Sequence, residues 1–172
     1  EGELKIEHEN QFISFDGKIS NQDKHKLDFD MTNIDLSQLA AFIAGDIRLK
    51  GRLNSWGHIS NPMNNLTFEG DAHIMGFAVN ENEIGDIFAH SEWDEPTKSI
   101  QLDGDLMYKT LRTFDFEGSY FTEGQRNAKG ELNYLAFDLV FENTDISFTN
   151  SFMDPDVVDD IKGVLNGKLA IT

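Results

Sequence analysis

The chain has no cysteine, only three prolines in 172 residues, and 14 basic residues set against 31 acidic ones. Each shortage removes a class of protein. Without Cys there is no disulfide framework, no thiolate metal site and no thiol nucleophile. A net charge of −17 repels nucleic acid and anionic headgroups. The basic residues cluster no further than pairs, Lys24/Lys26 and Lys109/Arg112, so no nucleic-acid partner is expected. No apolar run approaches the ~18 residues of a membrane-spanning helix. A G-x-S-x-G elbow, a P-loop and H-E-x-x-H are all missing. His8, His25, His58, His73 and His90 are scattered and read as surface residues rather than ligands. Carboxylate pairs such as Asp103/Asp105 point the same way along a strand and read as a solvated face. The acidic run 154–160 lacks the spacing of an EF-hand loop and reads as helix capping. The expectation is therefore no enzyme, no cofactor and no metal site.

What is abundant is Phe, with 14 copies against two Trp and three Tyr. Phe supplies apolar area without a polar handle, which suits a large apolar face. The two tryptophans, Trp56 and Trp93, could form a sugar platform. One falls near a strand end and the other before a turn, so both are expected to anchor the core.

Period-two alternation dominates, as strands with one apolar and one wet face require. Ile47, Leu49, Gly51 and Leu53 alternate with polar residues. So do Leu66, Phe68, Gly70, Ala72 and Ile74, and likewise Ile100, Leu102, Gly104, Leu106 and Tyr108. Phe114, Phe116, Gly118 and Tyr120 follow the same rule, as do Ile161, Gly163, Leu165, Gly167, Leu169 and Ile171. Further strands are expected near 3–8, 11–20, 25–32, 85–93 and 135–143. Turn chemistry at 61–65, 94–98 and Glu123-Gly124 separates them. Connections this short favour antiparallel neighbours. About ten strands spaced ~4.8 Å apart give a sheet on the order of 50 Å across. Helical spacing appears in two places, at 36–43 and at 149–160, where Asp154 can cap and Pro155 can open a first turn.

The chain also repeats itself. A shift of 110 residues brings Asp28, Asn33, Asp35 and Phe42 onto Asp138, Asn143, Asp145 and Phe152. Two inserted residues then align Lys50-Gly51-Arg52-Leu53-Asn54 with Lys162-Gly163-Val164-Leu165-Asn166. Residues 1–172 are thus expected to form a single piece of a longer repeat-built β domain, about one and a half units long, with related segments 12–60 and 114–172.

Gly17, Gly51, Gly70, Gly104, Gly118, Gly163 and Gly167 all fall on the apolar phase of their strands. Glycine in a strand interior marks bends or close approach. These positions are either bend points of a closed sandwich or barrel filled by its own side chains, or bends of an open trough lined by Phe, Leu and Ile. The pattern alone fits both.

A resemblance bears on that choice. K-G-R-L-N at 50–54, the Asn61-Pro62 turn and L-T-F-E-G at 66–70 occur in order, followed by Ile84-Gly85 and Ser91-Glu92-Trp93-Asp94. S-I-Q-L-D-G at 99–104, F-D-F-E-G-S-Y at 114–120, F-D-L-V-F-E-N-T-D-I at 137–146 and D-I-K-G-V-L-N-G-K-L at 160–169 complete the series. In this order they resemble the TamB (translocation and assembly module subunit) and AsmA-like family, in its Bacteroidetes version, over nearly the whole chain. The resemblance implies an all-β fold, a curved antiparallel sheet forming a taco- or U-shaped apolar trough, and the two short helices read from the spacing then fall at repeat junctions. It implies a periplasmic segment, with an inner-membrane anchor outside this stretch and an outer-membrane barrel partner for the full-length protein. The implied role is to carry lipid towards the outer membrane or to support outer-membrane protein assembly. The trough would take phospholipid acyl chains or apolar client segments. Its lining would be Ile47, Leu49, Leu53, Leu66, Phe68, Ile74, Ile100, Leu102, Leu106, Phe114, Phe116, Tyr120, Leu165, Leu169 and Ile171. A scaffold holding client β-strands at an open edge, and a closed β-sandwich binding module, remain as alternatives.

Overall fold

The computed structural model describes residues 2–18, 25–38, 48–60, 67–80, 82–109, 111–126, 130–147, 150 and 161–171. The alternating segments become ten strands: β1 (Gly2–His8), β2 (Gln11–Gly17), β3 (Lys26–Asp35), β4 (Leu49–Ser60) and β5 (Thr67–Val79), then β6 (Asn82–Asp94), β7 (Ser99–Tyr108), β8 (Leu111–Arg126), β9 (Leu132–Asp145) and β10 (Val164–Ile171). They form one open, curved, antiparallel sheet in strict chain order, which holds 83% of the described residues. Each strand pairs antiparallel with its sequence neighbours, also across the longer connections after β3 and β9, and the other connections are too short for a parallel crossover. Glu9, Asn80, Lys98 and Lys109 take φ of 55°, 47°, 52° and 60° at four such connections, the left-handed conformation that tight hairpins use. Between β6 and β7, Thr97 donates to Asp94 and Lys98 pairs with Glu95, which closes a four-residue turn.

Several strands outrun the sequence reading. Glu123-Gly124 is not a turn: β8 runs through it, with Gly124 at φ 71° and a register irregularity between Tyr120 and Gln125. The glycine marks a bulge rather than a reversal. At the other end, residues 161–163 precede β10 instead of belonging to it. Of the two expected helices, residues 36–38 of the first are helical, and the rest of that segment lies outside the described residues. Almost all of the second lies outside them too, as do the turn at 61–65 and the lining positions Ile47 and Leu66.

The register sorts the sheet into two faces. One row crosses all ten strands as Leu4, Phe15, Phe29, Gly57, Gly70, Ser91, Leu102, Gly118, Phe137 and Ile171. Two residues along lies a second: Ile6, Ile13, Met31, Ser55, Ala72, Ala89, Gly104, Phe116, Leu139 and Leu169. Between them, facing the other way, run Lys5, Ser14, Asp30, Trp56, Asp71, His90, Asp103, Glu117, Asp138 and Ala170. One face is apolar and small, and the other carries the acid.

Little of this is buried. Among the described residues the apolar side chains that reach burial are Phe29, Ile34, Leu36, Ala78, Val79 and Phe121. The accessible surface is 11193 Å² for 19.5 kDa, against roughly 8,500 Å² for a compact chain of that mass. The sheet has no second layer among the described residues, so none of them covers its apolar face.

Two bulges share one design. In β3 Asn33 sits at φ 56° and donates its backbone N–H to Asn54 Oδ1 at 2.9 Å. In β9 Asn143 sits at φ 51° and donates to Asn166 Oδ1 at 2.8 Å. The pairing resumes beyond each as Ile34↔Leu53 and Asp35↔Arg52, and as Thr144↔Leu165 and Asp145↔Val164. Asp35 Oδ1 then accepts the backbone N–H of Ser37, and Asp145 Oδ1 that of Ser147, both at 2.9 Å. These bonds stabilise the ionised carboxylates. The Ser37 hydroxyl, together with its N–H, holds Asp35 below the ordinary carboxylate range, and the Ser147 N–H does the same for Asp145.

Candidate functional site

The candidate site is the apolar face, built by cross-strand pairing rather than by any one loop. Alternation places every second residue of a strand on it, and the unbroken meander joins those residues into rows. The thirteen described lining positions fall on this face. Leu53, Ile74, Leu106 and Phe114 share one row, with Ile34, Ile87 and Phe141 between and beyond them. Phe116 and Leu169 lie in the next row, and Leu102 and Ile171 in the one after. Phe68 pairs with Ile59, Ile100 with Tyr120, Leu49 with Val79, and Leu165 with Thr144. Tyr120, Leu165, Leu169 and Ile171 are exposed, and the others are half-buried.

Exposure is high on both end strands, though Leu111 at the start of β8 exceeds them at 65%. Leu4 and Ile6 on β1 are 54% and 52% exposed, and Leu169 on β10 is 52% exposed. β1 and β10 each pair on one side only, so both edges present backbone donors and acceptors beside uncovered apolar side chains.

The glycines do not leave holes in the middle of the face. A Cβ on Gly104 would lie 2.7 Å from Phe116 Cε1, and one on Gly118 would lie 2.6 Å from Phe137 Cδ1. The missing side chains are replaced by rings from the next strand, whose atoms occupy the space a Cβ would take. Phe29 of β3 likewise stacks on Phe68 of β5 at 5.2 Å, across β4, where the residue paired with Phe29 is Gly57. Phe114 packs on Phe116 and Phe141 at 6.1 and 5.0 Å. In its middle rows the result is an aromatic and aliphatic surface whose polar residues are small serines and threonines, while His8, Gln11, Gln125 and Asn133 share the phase only near strand ends. Such a surface can take flexible apolar chains by area alone.

Sequence reasoning missed much of this face: Leu4, Ile6, Ile13, Phe15, Leu27, Met31, Ile59, Leu135 and Leu139 all share it. Alternation in the first three strands and in β9 carries the same signal. Trp56 is not the core anchor that its sequence position suggests: it is 52% exposed on the polar face, in row with Asp30 and Asp71. Trp93 is half-buried and donates its indole N–H to Glu95 at 2.8 Å.

The polar face carries cross-strand side-chain pairs, which near a surface contribute little stability. His58 meets Glu69 at 2.7 Å, and His90 Nδ1 meets Asp71 at 2.8 Å. The Asp71 carboxylate raises His90 above its ordinary value of 6.5. A raised folded value means that the pair stabilises the sheet below pH 6.5 and loses that contribution as pH rises through the folded value. Titration of His90 by NMR should give a midpoint above 6.5, and Asp71→Asn should bring it back. A midpoint unmoved by that substitution would remove Asp71 as the cause. Among the described residues no three His, Asp or Glu side chains converge as metal ligands.

No protein-family model, curated protein or solved structure matches the chain.

Proposed function

We propose that this chain is a segment of a periplasmic, TamB/AsmA-like envelope protein whose sheet forms a trough for lipid acyl chains. The observation that supports it best is the apolar face itself, which runs through all ten strands and is left uncovered by the other described residues. A soluble protein rarely exposes so large a contiguous apolar patch without a use for it. Burying one CH₂ is worth about 0.8 kcal/mol, so a continuous face offsets the cost of moving an acyl chain through water at every step. Flow also needs uniform weak contacts rather than one tight site, and rings lying over glycines provide them.

The modular reading is proposed alongside. The matched bulges, Asn33 with Asn54 and Asn143 with Asn166, support a unit that recurs along a longer sheet. Open edges at β1 and β10 suit continuation, with the anchor and the outer-membrane barrel partner lying outside this stretch. Those same edges favour the second reading, a scaffold that adds client β-strands to the sheet.

Lipid should co-purify with the chain when it is produced in a periplasm, in the headgroup proportions of the surrounding membrane, because an acidic surface has no cluster of cations at which to select a headgroup. Mass spectrometry of the extracted lipid reads this directly. Enrichment of a single headgroup would overturn the unselective trough. Absence of lipid together with captured extended peptides would favour the scaffold.

A further inference from the structure

The face opposite the trough carries its own concavity. It has a volume of about 250 Å³ and is walled by Trp56 of β4 and by Phe88 of β6. Trp56 is 52% and Phe88 40% exposed, on the side of the sheet where the other rows present charge. Phe88 is fixed by stacking on His73, with centroids 4.0 Å apart and planes at 15°. His73 Nε2 is buried there without a hydrogen-bond partner. Asp71, Asp103 and Asp105 close the rim. Both neighbours of Trp56 in its row are carboxylates, Asp30 on β3 and Asp71 on β5.

We propose that this outer concavity docks a basic segment of a partner protein, with an arginine side chain stacked on the exposed Trp56 indole. Trp attracts a cation more strongly than any other ring, and a guanidinium stacks flat where an ammonium cannot. Carboxylates on both flanks of the indole then accept its N–H donors. Asp71 already accepts from His90 at 2.8 Å, and a carboxylate has room for several donors. A neutral sugar ring could also lie on Trp56. It would strip water from several carboxylates and return no charge, whereas a cation compensates what it desolvates. The acidic row continues across the sheet through Glu117 and Asp138, so further basic residues of the same segment find partners beyond the concavity. The site lies on the opposite face from the trough and stands or falls separately from it.

The test is to titrate the chain with a short peptide bearing two arginines, with its citrulline counterpart, and with a neutral oligosaccharide, following the indole N–H signal of Trp56 by NMR. The arginine peptide should shift that signal, and the citrulline peptide should not. Raising salt from about 50 to 500 mM should weaken the binding. Trp56→Ala should weaken it about tenfold and Trp56→Phe much less, both with unchanged strand circular dichroism. Leu102→Asp, on the trough face, should leave it unaltered. Equal response to arginine and citrulline, salt-independent binding of the oligosaccharide at Trp56, or full affinity in Trp56→Ala would each overturn the proposal.

Discussion

Gly57→Ala should destabilise the sheet by about 3 kcal/mol or more, lowering its melting temperature by roughly 6–12 °C. Gly57 and Gly70 face each other at the centre of the sheet, in the row that runs from Leu4 to Ile171. A Cβ on Gly57 would meet the Glu69 carbonyl oxygen and lie 2.7 Å from Gly70 Cα. At Gly70 it would meet the Trp56 carbonyl and lie 2.9 Å from Gly57 Cα. These are backbone atoms, which cannot rotate out of the way as a side chain can. The strands must part, and each ladder bond lost or stretched between β4 and β5 costs about 1 kcal/mol. Gly167→Ala supplies the contrast. That glycine lies on the same face, in β10, and a methyl group added to it would meet nothing within 4 Å. It should stay within about 0.5 kcal/mol of the parent. Thermal melts followed by circular dichroism separate the two, and equal melting temperatures would show that the close approach at Gly57 is not what limits the sheet.

Much of this architecture is legible in the sequence because alternation is a local signal. Ile100, Leu102, Gly104 and Leu106 announce both a strand and its inner face, and the short turn at 95–98 leaves no choice but an antiparallel neighbour. The signal fails where small or polar residues occupy inward positions. Beyond Leu53 the inner phase of β4 continues as Ser55, Gly57 and Ile59, which does not read as apolar, so by alternation the strand ends before Trp56. Once β4 is seen to run to Ser60, Trp56 belongs with Asn54 and His58 on the outer face. Glu123-Gly124 misleads for a different reason. A positive φ at glycine serves a turn and a bulge equally well, and only the partner strand, with Gln125 paired to Asn133, decides between them. Which rings cover which glycines is also beyond the sequence. Phe116 over Gly104 and Phe137 over Gly118 depend on the register, which turn geometry sets and a single strand does not record.

Leu102→Asp should bring labelling by a photo-crosslinkable phospholipid down to background. Leu102 lies on β7 near the middle of the apolar face, paired with Ser91 on one side and Gly118 on the other. It is half-buried, and its neighbours are too small to screen it from whatever lies on the face. A carboxylate there keeps its water, because no lysine or arginine among the described residues stands on this face to compensate it. That hydration interrupts the apolar surface over about one inter-strand spacing, roughly four methylenes of an acyl chain. At about 0.8 kcal/mol each this is about 3 kcal/mol, or two orders of magnitude in occupancy. Phe68→Asp should act in the same direction but also breaks the stack on Phe29, so its loss of labelling must be read beside its stability. Asp103→Asn, one residue along β7 and on the opposite face, should leave labelling intact. Unchanged labelling in Leu102→Asp would sink the lipid trough, and equal loss in Asp103→Asn would mean that the label reports the integrity of the sheet rather than contact with its apolar face.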